Sequence, residues 1–133
     1  MDFLRKKPAT GIPGTTTERG QAAEDRALAY LREQGLKLLE RNYRTPGRGG
    51  GEIDLVMRSR DGTLVFVEVR SRSRMDFGGA AASIGSAKRR RIVLAASHYL
   101  QRFAAPPPCR FDVVVIEAPP AVQWLRAAFD ADG

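Results

Sequence analysis

The sequence predicts an α/β fold in which helices flank a mixed β-sheet, in the order α-β-β-β-α-β, with a closing segment that is either a strand or a helix. Three observations support this prediction. Two apolar, β-branched segments joined by turn residues indicate a hairpin near the middle of the chain. Stripes of apolar residues at helical spacing lie before and after that hairpin. The mostly apolar run from Arg110 to Ile116 is typical of a buried strand reached by a crossover.

Length and composition indicate one soluble globular domain. The chain has 133 residues, of which 43% are hydrophobic and 28% are charged, which is enough for a single core. No apolar run approaches the ~18 residues that cross a bilayer, and no apolar segment follows the basic N-terminus as a secretory signal requires. Cys109 is the single cysteine, so an internal disulfide and a cysteine-rich zinc site are excluded. We expect a cytoplasmic protein without a membrane partner.

The first predicted elements are a tail and a helix. Residues 1–16 contain proline, glycine and threonine without periodicity and are predicted to form a flexible basic tail, so residues 17–133 form the single domain. The Thr-x-x-Glu pattern from Thr15 to Glu18 is typical of a helix start, and Gly35 is typical of its end.

Glu24 is the first acidic residue of interest. It shares the apolar face of this helix with Ala27, Leu28 and Leu31. A charge on a packing face is costly unless it is paired or lies near a cation. Glu24 is therefore a candidate site residue. The alternative is that it lies at the edge of the stripe and reaches solvent.

The central hairpin is predicted between Gly51 and Arg74, with a turn at residues 59–62, after a strand from Leu36 to Arg44 and a glycine-rich connection. Strand side chains alternate between the two faces. In the first arm this alternation predicts one face with Glu52, Asp54 and Val56 and the other with Ile53, Leu55 and Met57. In the second arm it predicts one face with Leu64, Phe66, Glu68 and Arg70 and the other with Val65, Val67 and Val69.

A turn centred on Asp61 places Asp54 across from Glu68. Two carboxylates roughly 5 Å apart repel each other by about 3 kcal/mol at an effective dielectric constant of about 20. A hard divalent cation, Mg²⁺ or Mn²⁺, relieves this repulsion and keeps positions for water and phosphate. Arg70 adds a positive charge beside the pair. The alternative is a solvated sheet face that carries ordinary ion pairs.

A second helix is predicted from Ser83 or Ser86 to about Phe103. On its packing stripe (Lys88, Ile92, Ala95 and Tyr99), Lys88 points toward the sheet and is a candidate contact to phosphate or water, whereas Arg89 and Arg90 point away. His98 lies off this stripe and is predicted to be structural or exposed. The segment 71–85 is predicted to be a mobile loop over the end of the hairpin.

The predicted strand from Arg110 to Ile116 follows three consecutive prolines and is expected to lie parallel to the strand that carries Glu68. Asp112, near its start, is predicted to be a salt-bridge partner and not a catalytic residue. The closing segment, Val122 to Phe129, is expected to pack on the core through Trp124 and Phe129.

Positive charge is concentrated in one region of the chain. The formal net charge is +7. Residues 69–110 contain a single acid, Asp76, against nine basic residues: Arg70, Arg72, Arg74, Lys88, Arg89, Arg90, Arg91, Arg102 and Arg110. Clustered cations beside a candidate metal site indicate a polyanionic partner, with nucleic acid in first place. The alternative is that the charge serves solubility alone.

Several motifs together resemble a known family. They are Gly20 with Glu24, Arg41-Asn42-Tyr43-Arg44, Gly51-Glu52-Ile53-Asp54-Leu55, Phe66-Val67-Glu68-Val69-Arg70-Ser71-Arg72, Phe77-Gly78, Lys88, Arg110-Phe111-Asp112-Val113 and Ala128-Phe129. Over about residues 17–130 the chain resembles the YraN family of small, uncharacterised bacterial proteins. That family is similar to the restriction-endonuclease-like nucleases, in particular the archaeal type of Holliday junction resolvase.

The resemblance implies a restriction-endonuclease-like core and a metal site. Its pattern is a glutamate on a helix, an aspartate on one strand and Glu-x-Lys on the next. By that pattern, Glu24, Asp54 and Glu68 would bind Mg²⁺, Val69 would add its backbone carbonyl, and Lys88 would be an accessory basic residue. Arg70 stands where the pattern usually has lysine, and arginine remains protonated.

Three functional hypotheses follow. The first is a metal-dependent nuclease that hydrolyses phosphodiester bonds in DNA, including branched or structured DNA. Its catalytic residues would be Asp54, Glu68, Arg70 and Lys88, and the residues that grip the nucleic-acid backbone would be Arg72, Arg74, Lys88, Arg89 and Arg90. The second, which Arg70 favours, is a nucleic-acid-binding module that keeps the nuclease fold without the chemistry. The third is a protein-interaction domain with an acidic partner. The resemblance to resolvases also implies a homodimer.

Overall fold

The structure, a computed structural model, describes residues 16–47, 49–72, 84–117 and 121–131. Its elements are α1 (Thr16–Glu33), β1 (Lys37–Arg44), β2 (Glu52–Arg58), β3 (Leu64–Arg72), α2 (Ser86–Leu100), β4 (Cys109–Glu117) and β5 (Ala121–Phe129). The predicted element order is confirmed, and the closing segment is a strand. The predicted tail, apart from Thr16, and residues 73–83 of the predicted mobile loop lie outside the described residues. Neither described helix is both long and apolar enough to cross a membrane.

The sheet has five strands in the order β1-β2-β3-β4-β5. β1, β2 and β3 are antiparallel neighbours, and so are β4 and β5. β3 and β4 are parallel, as predicted, because α2 carries the chain back between them. The mixed sheet with helices is therefore an α/β fold consistent with a restriction-endonuclease-like core.

Each face of the sheet is covered by one helix. On the first face, Leu28 and Leu31 of α1 pack in a buried cluster with Leu55, Met57 and Val65. The cluster on the second face joins α2 to the other side of the same strands through Ile92, Tyr99, Phe66, Phe111 and Val113. Burial of each large apolar side chain contributes roughly 1.5–3 kcal/mol. The two predicted helical stripes are thereby confirmed.

The predicted alternation fails at one position in β2. Ile53 lies on the α2 face together with Val56, whereas Leu55 lies on the α1 face. The physical reason lies in β1, where Asn42 has a positive φ of 54°. Arg41 pairs with Leu55 and Tyr43 pairs with Ile53, so Asn42 and Asp54 lie opposite each other where both strands change face.

The start of β2 lies very close to α2. A Cβ atom built at Gly51 would overlap the carbonyl oxygen of Arg91 and lie 2.8 Å from the backbone nitrogen of Ala95. Only glycine fits this approach, because any side chain would push the strand off the helix. The contact fixes the beginning of β2, and therefore Asp54, relative to the middle of α2.

Candidate active site

The candidate site lies at a fork between β2 and β3. The two strands pair from Arg58 with Leu64 as far as Leu55 with Val67, and β3 then continues beside β4 to Arg72. The carboxylate of Asp54 accepts a hydrogen bond from the backbone N–H of Val69 over 2.8 Å. Asp54 therefore accepts a hydrogen bond from the backbone of β3 at the point where the pairing of β3 with β2 ends.

The register of the hairpin agrees with a turn centred on Asp61, and Asp54 and Glu68 meet in the fork. A side-chain hydrogen bond joins the two carboxyl groups, and Glu68 is only 5% exposed. Burial, followed by the charge of Asp54, raises the pKa of Glu68 to about 8. Burial also raises the pKa of Asp54. The pair therefore shares a proton near neutral pH in the absence of a cation.

Two cations act on this pair from the α2 face of the sheet. The Nζ atom of Lys88 lies 3.7 Å from Oε2 of Glu68, so Lys88 points toward the sheet as predicted. The charges of Lys88 and Arg70 both lower the pKa of Glu68, but burial and Asp54 outweigh them. The cations offset only part of the cost of placing two acids together.

Glu24 approaches the same region from α1. Its Oε1 atom lies 3.3 Å from Nε of Arg41, and its side chain also hydrogen-bonds Asn42. Its pKa is raised, first by burial and then by the charge of Asp54, despite these donors. Of the two alternatives for Glu24, the packed and paired one is correct, since its side chain is 15% exposed.

The donor set fits a hard cation at two of the three predicted acids. Asp54 and Glu68 offer carboxylate oxygens whose mutual repulsion a divalent ion would relieve. Glu24 is turned to Arg41, and no group of three Asp, Glu, His or Cys side chains within the described ranges is arranged to hold a metal. The backbone N–H of Val69 is bound to Asp54. A ligand set that includes Glu24 and the Val69 carbonyl stays a prediction.

The residues predicted to grip nucleic acid are spread over two elements. Arg72, at the end of β3, lies 3.5 Å from Glu117 of β4, so part of its charge is neutralised. Arg89 and Arg90 line a groove outside the buried stripe of α2, in agreement with their predicted direction. Arg74 lies outside the described residues.

Arg41 and Asn42 were missed as site residues by the reasoning from sequence. Arg41 bridges Glu24 and Asp25, with 2.6 Å between its Nη2 atom and Oδ1 of Asp25. Asn42 adopts the left-handed conformation and binds Glu24. The available signal was their place in a family motif and the tolerance of asparagine for positive φ, but neither gives a contact with Glu24.

Two polar residues have the structural roles predicted for them. Asp112 is fully buried, and its Oδ1 atom lies 3.0 Å from Nε of Arg110. His98 is exposed, and its Nδ1 atom lies 2.5 Å from the hydroxyl oxygen of Tyr43.

Comparison with known proteins identifies the family. A model of the uncharacterised protein family UPF0102 matches residues 23–116, which include Glu24, Asp54, Glu68 and Lys88. The chain belongs to this family, the YraN family.

Relatives in the UPF0102 family are similar over nearly their whole length. A UPF0102 protein of Acidovorax sp. (strain JS42) is 67% identical over 132 residues, covering 98% of this chain and 99% of the relative. One from Paracidovorax citrulli is 66% identical over 137 residues, with coverage of 98% and 99%. One from Verminephrobacter eiseniae is 60% identical over 140 residues, with coverage of 98% and 97%.

Proposed function

We propose that this UPF0102 protein is a metal-dependent nuclease that hydrolyses phosphodiester bonds in DNA, including branched or structured DNA. The observation that carries the proposal is the contact between Asp54 and Glu68 in the fork, with Lys88 beside it. Two touching acids destabilise the fold unless a proton or cation separates them. Buried acids with raised pKa values are typical of functional sites, and a metal site that acts on phosphate would account for this pair.

The ion would be held by Asp54 and Glu68, with Glu24 adjacent. When bound, Mg²⁺ or Mn²⁺ supplies a Lewis acid for the phosphate and lowers the pKa of an attacking water. Glu68 would have to lose its proton, to solvent, in order to hold the ion. Lys88 and Arg70 would bind phosphate oxygens and stabilise the negative charge that develops on them. Arg70 cannot accept a proton, because a guanidinium stays protonated.

Binding of the rest of the substrate is assigned to further basic residues of the chain. Arg72, Arg74, Arg89 and Arg90 would neutralise backbone phosphates, with Arg72 doing so in competition with Glu117. Such contacts release counterions, so affinity is expected to fall steeply as salt concentration rises.

A paired titration and cleavage assay tests the proposal. Mn²⁺ binding to the full-length protein is measured first, and cleavage of labelled branched DNA in Mg²⁺ second. Asp54→Asn is expected to weaken Mn²⁺ binding by about tenfold or more and to abolish cleavage. The matched control is Asp61→Asn, the same change in the exposed turn of the hairpin. Equal cleavage by the parent and Asp54→Asn would reject the assigned site.

The second candidate is a nucleic-acid-binding module without catalysis. Two observations favour it: Arg70 replaces the proton-accepting lysine of the nuclease pattern, and Glu24 is bound to Arg41. Salt-dependent DNA binding without cleavage in Mg²⁺ or Mn²⁺ would support this candidate. Loss of DNA affinity even at low salt would reject both candidates and favour an acidic protein partner.

A cytoplasmic location and a homodimer complete the proposal. The basic charge and the proposed DNA substrate are the reasons for the first, and the resemblance to resolvases is the reason for the second. Light scattering at several protein concentrations tests the dimer, and a constant monomer mass would reject it.

A further inference from the structure

A groove of about 570 Å³ runs along the flank of α2, outside its buried stripe, and reaches the residues that follow β5. Its walls combine apolar, cationic and hydroxyl-bearing side chains with one acid, Asp130. Val93 and Leu94 are apolar, Arg89 and Arg90 are cationic, and Ser86 and Ser97 carry hydroxyl groups. An apolar floor with a few convergent polar groups is typical of a small-ligand site.

The apolar floor is open to solvent. Leu94 is 48% exposed. Among the described residues, it is the only large hydrophobic side chain that is exposed. It lines the groove next to Val93. A flat apolar ligand would cover both side chains.

The cationic wall contains a donor that lacks an acceptor. The Nε atom of Arg89 is shielded from solvent and has no hydrogen-bond partner among the residues that the structure describes. A shielded donor without a partner is costly. An anionic ligand in the groove would satisfy the guanidinium once the side chain turns toward it. Asp130 also lines the groove, and its negative charge would repel an anion beside it. The anion is therefore expected between Arg89 and Arg90.

The groove begins on the turn of α2 that also contacts the acid pair. Lys88 lies 3.7 Å from Glu68, and Arg89 and Arg90 follow it directly. This first turn contains no acid, and Gly85 provides no side-chain cap. The partial positive charge of the helix N-terminus therefore adds to the positive potential at the groove, and it also acts on the acid pair.

We propose that this groove binds one unpaired nucleotide of a nucleic-acid strand, with its phosphate at Arg89 and Arg90 and its base against Val93 and Leu94. The inference rests on the proposed function and deepens it, because it defines the substrate class as nucleic acid with a single-stranded extension. A base inside a blunt duplex remains stacked and paired, so it does not enter such a groove without an energetic cost.

Binding of two labelled DNA probes tests this proposal. The full-length protein is titrated, without divalent cations, against a blunt duplex and the same duplex with a short single-stranded extension. Leu94→Ser is expected to weaken binding of the extended probe about fivefold or more and to change blunt-duplex binding less than about twofold. Arg89→Gln should weaken binding of the extended probe further. Because Leu94 is exposed, its replacement leaves the core intact, which circular dichroism verifies.

Arg26→Gln is the matched control for loss of one charge, since Arg26 is exposed on α1. It should reduce binding of both probes by the same small factor. Equal effects of Leu94→Ser on both probes, or no effect on either, would overturn the proposed groove. Failure of the groove leaves the cleavage assay with Asp54→Asn unaffected. A selective effect of Leu94→Ser without any cleavage would reject the nuclease and keep the groove.

Discussion

Two buried acidic sites on the same sheet are built in opposite ways. Asp112 of β4 accepts hydrogen bonds from Nε of Arg110 over 3.0 Å, Nε1 of Trp124 over 2.9 Å and the backbone N–H of Ala127 over 2.9 Å. Asp54 accepts one backbone N–H, from Val69, and otherwise meets the carboxyl group of Glu68. One carboxylate is surrounded by donors, and the other is placed against a second acid.

This difference separates a carboxylate whose charge the fold stabilises from one whose charge the fold leaves uncompensated. The donors around Asp112 stabilise its negative charge, so no outside group is needed. The fork lacks this compensation, and the pKa of Glu68 rises to about 8. A proton or cation therefore completes the fork, while the protein itself completes the site of Asp112.

Replacing Asp112 is expected to have the largest effect on stability. Asp112→Asn leaves Arg110 without its anion and places an amide donor among N–H groups that require acceptors. We expect the free energy of unfolding to fall by about 3 kcal/mol, as for other broken buried pairs. Urea denaturation measures this change. Glu40→Gln, an exposed change on β1, should remain within about 0.5 kcal/mol. A similar midpoint for Asp112→Asn and the parent would show that the donors do not stabilise the fold.

Glu68→Gln should alter the pH dependence of stability in the metal-free protein. The native state holds the proton of Glu68 up to about pH 8, whereas the ordinary pKa is 4.5. Its contribution to stability is complete below pH 4.5 and is lost as the pH rises through about 8. Between about pH 6.5 and about pH 9, the parent should lose roughly 2 kcal/mol more than the variant.

Denaturation in EDTA at several pH values checks this prediction, with Glu40→Gln as the control. Parallel pH profiles for Glu68→Gln and the parent would contradict it. Added Mg²⁺ at about pH 8 should restore stability to the parent more than to Glu68→Gln, because the ion replaces the proton between the acids.

Asn42 tests how the backbone supports the fork. Asn42→Ala places an unfavourable residue at a φ of 54°, and we expect a loss of about 1 kcal/mol. Asn42→Gly loses the same amide contact to Glu24 but tolerates this φ, so it should be more stable than Asn42→Ala. Thermal unfolding of both variants separates the backbone from the side chain. A more stable Asn42→Ala would show that positive φ is not what the position requires.

Ala127 offers the same test beside Asp112, with a smaller expected effect. Its φ is 48°, and its N–H bonds Asp112 in the irregular pairing of β4 with β5. Ala127→Gly relieves the strain and keeps the N–H, so we expect a gain of about 0.5 kcal/mol. Thermal unfolding measures it. A loss of more than about 1 kcal/mol would indicate that the methyl group packs favourably.

Local patterns predicted most of the elements and, within the candidate site, the placement of Asp54 across from Glu68. Apolar stripes gave both helices, the prolines and β-branched runs gave the strands, and a turn centred on Asp61 placed Asp54 across from Glu68. Alternation failed at Ile53, because the positive φ of Asn42 changes the face of two strands at once. The contacts of Glu24 with Arg41 were likewise not predictable, since they join α1 to β1 through packing.

The sequence by itself determined the elements, the basic region and the acids, because periodicity and composition are local properties of the chain. It predicted different roles for Asp54 and Asp112, but it did not show how deeply either carboxylate is buried or which groups compensate its charge. Only the tertiary structure showed that Asp112 has three N–H donors and that Asp54 meets Glu68 in a buried place with one such donor. Whether a buried carboxylate is stabilised or reactive depends on groups that are distant in the chain and close in space.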